Sequence, residues 1–160
     1  ELGSADLHLI GRAEWADGAF MVIDQVVPPK TITRAHHHRD QSQAAYVLAG
    51  TIGFWVDGEE VEAGPGTYVV RPPGSVHALW NPTDTEARML EVTSAATGFQ
   101  ELALAATGAE TPTEPLGELA ARVGTAFDDE VTEELCRKHG VSPEGGAVRV
   151  TPRQPVEYHE

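Results

Sequence analysis

A chain of 160 residues, 41% of them hydrophobic, is long enough for one folded domain with a real core and is not the composition of a disordered protein. Its formal charge of −14 excludes a nucleic-acid backbone and an anionic membrane surface as partners, since both require clustered Lys and Arg. The lone cysteine, Cys136, leaves no intramolecular disulfide and suits a reducing compartment. No apolar run reaches the length of a membrane span, and the opening "ELGSADLHLIGRAEW" has neither a basic nor an apolar leader region, so the expected location is cytoplasmic.

From Asp6 to Val92 the chain is rich in Val, Ile, Thr and aromatic residues, broken at short intervals by Gly, Pro and Asp. That texture predicts many short strands, hence an all-β barrel or sandwich. The expected strands are Ala19–Val27, Thr31–His38, Gln43–Ala49, Ile52–Val56, Glu60–Ala63, Thr67–Arg71, Val76–Trp80 and Ala87–Val92. Asp57-Gly58 between two of them suits a type I′ hairpin turn, whose central residues both need positive φ. From Gly98 onward the pattern turns helical. "PLGELAARVG" puts Leu116, Leu119, Ala120 and Val123 on one face, and "DDEVTEELCRKHG" runs from acids through bases to a terminating Gly140. The expected organisation is a barrel over residues 1–97 and a short helical extension over 98–160, packed on the barrel or on a second subunit.

The chemistry concentrates in "RAHHHRDQSQAAYVLAG", Arg34 to Gly50. Side chains alternate along a strand, so His36 and His38 point one way and His37 the other. Two imidazoles spaced i, i+2 on an inward face can bind one metal ion; as a pair alone they are as compatible with ordinary strand histidines. A second segment, "GTYVVRPPGSVHALWN", supplies a further histidine.

Together the two segments resemble the paired motifs of the cupin family. The first motif reads Gly, five residues, His-x-His, three or four residues, Glu, six residues, Gly; the second reads Gly, five residues, Pro-x-Gly, two residues, His, three residues, Asn. The second is matched throughout by Gly66, Pro72, Gly74, His77 and Asn81. The first is matched by His36, His38 and Gly50, with Lys30 where glycine opens it and Gln43 where it has glutamate. The resemblance implies an antiparallel jelly-roll barrel of cupin type with His36, His38 and His77 as ligands of one divalent transition metal. Fe(II) and Ni(II) are favoured; Cu, Mn, Co and Zn also suit imidazole. Gln43 is a candidate both as ligand and as catalytic residue, but an amide cannot take a proton as a carboxylate would. Asn81 before Pro82 reads as a turn residue rather than a ligand.

Around these positions Phe54, Trp55, Tyr68, Trp80 and Met89 supply apolar bulk, and Tyr46 and Arg71 are polar candidates whose facing alternation leaves open. His139, near a helix end, suits the free carbonyls there. The resemblance extends to the flavonol (quercetin-type) dioxygenases, which implies an oxidoreductase acting on a small apolar or aromatic, enolisable or anionic substrate. Two other classes stand beside it: a non-redox isomerase, cyclase or lyase with the metal as Lewis acid, and a non-catalytic small-molecule-binding cupin. The expected partners are a small-molecule substrate and a second copy of the chain in a homodimer.

Overall fold

The computed structural model describes residues 6–106, 111–143 and 149–150. Nine strands lead: β1 (Asp6–Gly11), β2 (Phe20–Val27), β3 (Ile32–His38), β4 (Gln43–Ala49), β5 (Ile52–Val56), β6 (Glu59–Ala63), β7 (Tyr68–Arg71), β8 (His77–Trp80) and β9 (Ala87–Ser94). Then follow α1 (Phe99–Ala106), α2 (Leu116–Arg122), β10 (Thr125–Phe127), α3 (Asp129–His139) and β11 (Arg149–Val150). The strands form two sheets, ordered β11-β1-β2-β9-β4-β7 and β10-β3-β8-β5-β6. Every strand pair is antiparallel except β1 with β11. This is the expected jelly-roll, closed by two facing sheets.

The alternation read from sequence becomes burial. Along β9 the pattern from Ala87 is buried and exposed by turns, and Ala87, Met89, Val47, Phe54 and Leu79 meet between the sheets in an apolar core. Asp57 and Gly58 take φ of 47° and 96°, as the hairpin turn requires. Gly50 has φ of 73°, and a Cβ there would lie 2.8 Å from Ala87 Cα, so nothing larger fits. Lys30 adopts φ of 55°, the left-handed backbone that the motif's glycine would accept without strain. Asn81 is fully buried: its Nδ2 donates to the Val27 and Thr85 carbonyls and its Oδ1 accepts from Thr83 N–H. It is a turn fastener.

Beyond the barrel, α1 and α2 pack on Leu9, Met21 and Ile23 through Phe99, Leu102, Leu119 and Val123. Leu116 is the exposed member of the predicted α2 face. Helix α3 starts at Asp128, whose carboxylate accepts from Val131 N–H, and ends at Gly140 with φ of 62°. It lies on the outer side of β3 and β8, where Leu135 joins Ile32, Ala35, Trp80 and Val141. His139 stacks on Trp80 at 4.3 Å between ring centroids, so its place is set by the barrel wall rather than by free helix carbonyls. Two strands, β10 and β11, come from the segment expected to be helical, and each joins a sheet through β3 or β1.

Candidate metal centre

The centre begins with a fault in a ladder. Thr33 lies opposite Leu79, and His36 lies opposite His77, so β3 uses three steps where β8 uses two. The extra residue is a β-bulge, and it reverses the facing of everything after it. Ala35 turns outward into the α3 cluster, while His36 and His38 turn inward. The bulge is braced from α3: Ala35 N–H donates to Thr132 Oγ1 at 2.9 Å, and Ala35 O accepts from Asp128 N–H at 2.8 Å. His77 reaches the same place from the turn after β7, where Gly74 N–H donates to His38 O and Ser75 N–H to Pro72 O.

Ring nitrogens of His36, His38 and His77 lie within 4.8 Å of one another. His37 is not part of the cluster. Each ring is held from behind by its Nδ1: His36 donates to Arg34 O at 2.6 Å and His77 to Ser75 O at 3.0 Å. His38 Nδ1 pairs with Thr125 Oγ1 at 2.9 Å. Backbone carbonyls only accept, so Nδ1 of His36 and His77 carries the proton and Nε2 presents a lone pair. Such oxygen partners behind imidazoles are the usual means of orienting metal ligands.

Gln43 completes the inner face. Its Nε2 donates to Thr93 Oγ1 at 3.2 Å, turning Oε1 to within 3.0 Å of His77 Nε2. With the amide in this orientation and the proton on His77 Nδ1, two acceptors face each other. Protonating the ring is opposed by burial, which pushes His77 down to about 2, His38 to about 3 and His36 to about 4, helped by neighbouring histidines and Arg71. His38 Nε2 is itself buried and has no hydrogen-bond partner among the described residues. A cation bound by these atoms satisfies all three observations, and the donor set of neutral imidazoles and an amide oxygen fits a divalent transition metal.

The rows on either side extend the site. Across four strands Met21, Thr93, Gln43 and Arg71 lie directly opposite one another, and the next inward row is Ile23, Glu91, Ala45 and Val69. Arg71 is buried and paired with buried Glu91, Nη2 to Oε2 at 2.7 Å. Strand alternation placed Arg71 with buried Val69, whereas Tyr46 faces outward and is exposed. Of the other bulky candidates, Phe54, Met89 and Trp80 are buried, Trp55 is half-buried, and Tyr68 is exposed. Phe99 of α1 packs edge-on against His38 at 4.8 Å, and Phe127 of β10 lies 6.0 Å from His36. The segment after the barrel thus walls the histidine end. Sequence reasoning had no signal for Thr125, which reaches His38 only through the pairing of β10 with β3. A surface cleft of about 460 Å³ beside α1, lined by Arg12, Glu14 and Gln100 among others, shares no residue with the cluster.

Comparison with known proteins agrees with this geometry. Residues 23–93 match the Cupin_2 family, described as a cupin domain. Over 73 residues, 45% of this chain, the sequence is 32% identical to quercetin 2,3-dioxygenase of Bacillus subtilis (strain 168). That stretch is 22% of the relative's length. Among solved structures, a cupin-like protein from Thermotoga maritima is similar with a TM-score of 0.59 and 20% identity, covering 83% of this chain and 82% of that one. A protein from Thermus thermophilus gives 0.53 and 21%, covering 59% and 88%. Residues 23–93 thus carry a cupin domain, and the three histidines within it are placed to hold a metal ion.

Proposed function

We propose that this cupin is a metal-dependent oxidoreductase, a dioxygenase for a small apolar or aromatic substrate that is enolisable or anionic. The observation that carries the metal reading is the unmet cluster of acceptors: His38 Nε2 without a partner and His77 Nε2 facing Gln43 Oε1. His36, His38 and His77 would hold the metal, with Gln43 Oε1 as a fourth donor or as an acceptor for a bound water or substrate. When bound, an iron or nickel ion supplies a redox-active centre with positions open to substrate and dioxygen.

The chain's own residues bind and orient. Arg34 O, Thr125 Oγ1 and Ser75 O fix the imidazoles, Thr93 fixes Gln43, and Phe54 and Met89 give the interior an apolar wall. Gln43 holds no proton to exchange, so a substrate reaching this site arrives already anionic or loses its proton to another group. The likeness to quercetin 2,3-dioxygenase supports the oxygenase reading. The test is oxygen uptake by metal-loaded protein offered enolisable aromatic substrates. Uptake absent in His38→Ala is the expected result; conversion of such a substrate without oxygen uptake would instead favour an isomerase, cyclase or lyase, which the absence of a carboxylate at position 43 also suits.

The same reading takes the protein as a cytoplasmic homodimer. Supporting the dimer, Tyr46 and Tyr68 are exposed cross-strand neighbours on β4 and the edge strand β7, beside exposed Val70 and Val92. Light scattering tests it: a dimer that Tyr68→Glu dissociates is expected, and a monomer would overturn it.

A further inference from the structure

The interior holds a cation of its own. Arg71 is 2% exposed and spends one nitrogen on Glu91. Its Nε is buried with no hydrogen-bond partner among the described residues. A buried guanidinium N–H without an acceptor carries the full loss of its hydration and is strongly drawn to an incoming anion. The residue is also in the right place. It sits directly opposite Gln43 in the β4–β7 ladder, and Gln43 touches His77. Its charge acts on His36, His38 and His77 alike, as expected of a neighbour of all three. Phe54 lies 5.7 Å from the guanidinium carbon and supplies an apolar flank.

The charge inventory points the same way. Glu91 balances Arg71, and the three imidazoles and Gln43 are neutral, so a divalent metal leaves the interior with two uncompensated positive charges. We propose that Arg71 is the specificity-determining residue of this site: its free Nε–H receives an oxygen of a carboxylate on a substrate with an apolar or aromatic body, while Glu91 holds the guanidinium in orientation. The proposal rests on the metal centre above only for the second point of attachment. The unpartnered Nε–H stands without it.

The experiment uses the full chain loaded with Zn(II), which is redox-inert, and titrates benzoate against its neutral isostere benzamide by calorimetry. Wild-type protein binds benzoate at least about tenfold more tightly, in line with a charge-assisted hydrogen bond. Arg71→Gln with unchanged zinc content cuts that preference at least about fivefold, leaving what the zinc ion itself contributes, and Glu91→Gln, which keeps Arg71, retains the full preference for benzoate. If Arg71→Gln does not fold, because Glu91 is then buried unpaired, Arg71→Gln/Glu91→Gln removes both charges and carries the same expectation. No benzoate preference in wild type, or a preference that loss of Arg71 leaves undiminished, overturns the proposal. Zinc content that His38→Ala leaves unchanged would sink the metal centre instead. Arg71 is then judged by the same titration on metal-free protein, where loss of the preference in Arg71→Gln supports it and retention overturns it.

Discussion

His36 faces His77 across β3 and β8 because β3 carries one extra residue between Thr33 and His36. Counted from Thr33 along an unbroken strand, His36 would fall on the outer face with α3. The bulge therefore determines which histidines of the triplet can share a metal. Replacing His37 by Ala is expected to change metal affinity by less than about twofold, while His36→Ala lowers it by more than about a hundredfold. Chelator competition reads both, and equal effects would contradict the assigned facing.

The segment after the barrel is expected to tune the centre through Thr125. Thr125→Val keeps the volume and the β10–β3 pairing but removes the hydroxyl behind His38. Metal affinity should fall about tenfold with little change in melting temperature, the usual effect of losing a group that orients a ligand. Unchanged affinity would mean that His38 is held by packing alone.

How much of this was legible beforehand depends on what carries the information. Alternation marked eight strands, and Gln43–Ala49 and Ile52–Val56 form with the expected bounds because Val, Ile and Phe on one face must be covered. Motif spacing gave His36, His38 and His77. Strands β1, β10 and β11 escaped notice: β10 and β11 have three and two residues, too few for a period, and β1 gains its meaning only from pairing with β2 and β11. For the same reason Arg71 was legible only as a polar candidate of open facing, and Thr125 not at all. Their roles are long-range facts of register, and a bulge can reverse any facing counted along one strand. His139 failed differently, since a stacking partner on another element outweighed the helix end.

Acid should destabilise the metal-free protein early. The folded state holds His36, His38 and His77 neutral, with values pushed down by burial to about 4, 3 and 2, while the unfolded chain protonates them near 6.5. Below that pH the unfolded state binds more protons, so stability is lost as pH falls from about 6.5 toward 4, by up to about 1.4 kcal/mol per pH unit for each histidine. Urea midpoints between pH 7.5 and 4.5 measure it. A flat profile would contradict the buried neutral cluster, and bound metal should shift the loss to lower pH.

Scaffold and site should separate at Asn81. Asn81→Ala leaves the Val27 and Thr85 carbonyls without their buried donor, a loss on the order of 2–3 kcal/mol. Denaturant unfolding should show that loss with metal stoichiometry unchanged in the folded fraction. Loss of metal from a still-folded protein would make Asn81 part of the centre.

The most direct test of the metal centre is elemental analysis of protein purified without added metal, beside His38→Ala and His77→Ala. The expected result is a transition metal near one equivalent per chain in the wild type, lost in both variants while circular dichroism reports an intact fold. Wild-type protein that takes up no transition metal even when it is supplied, or a metal content that neither variant changes, would contradict it.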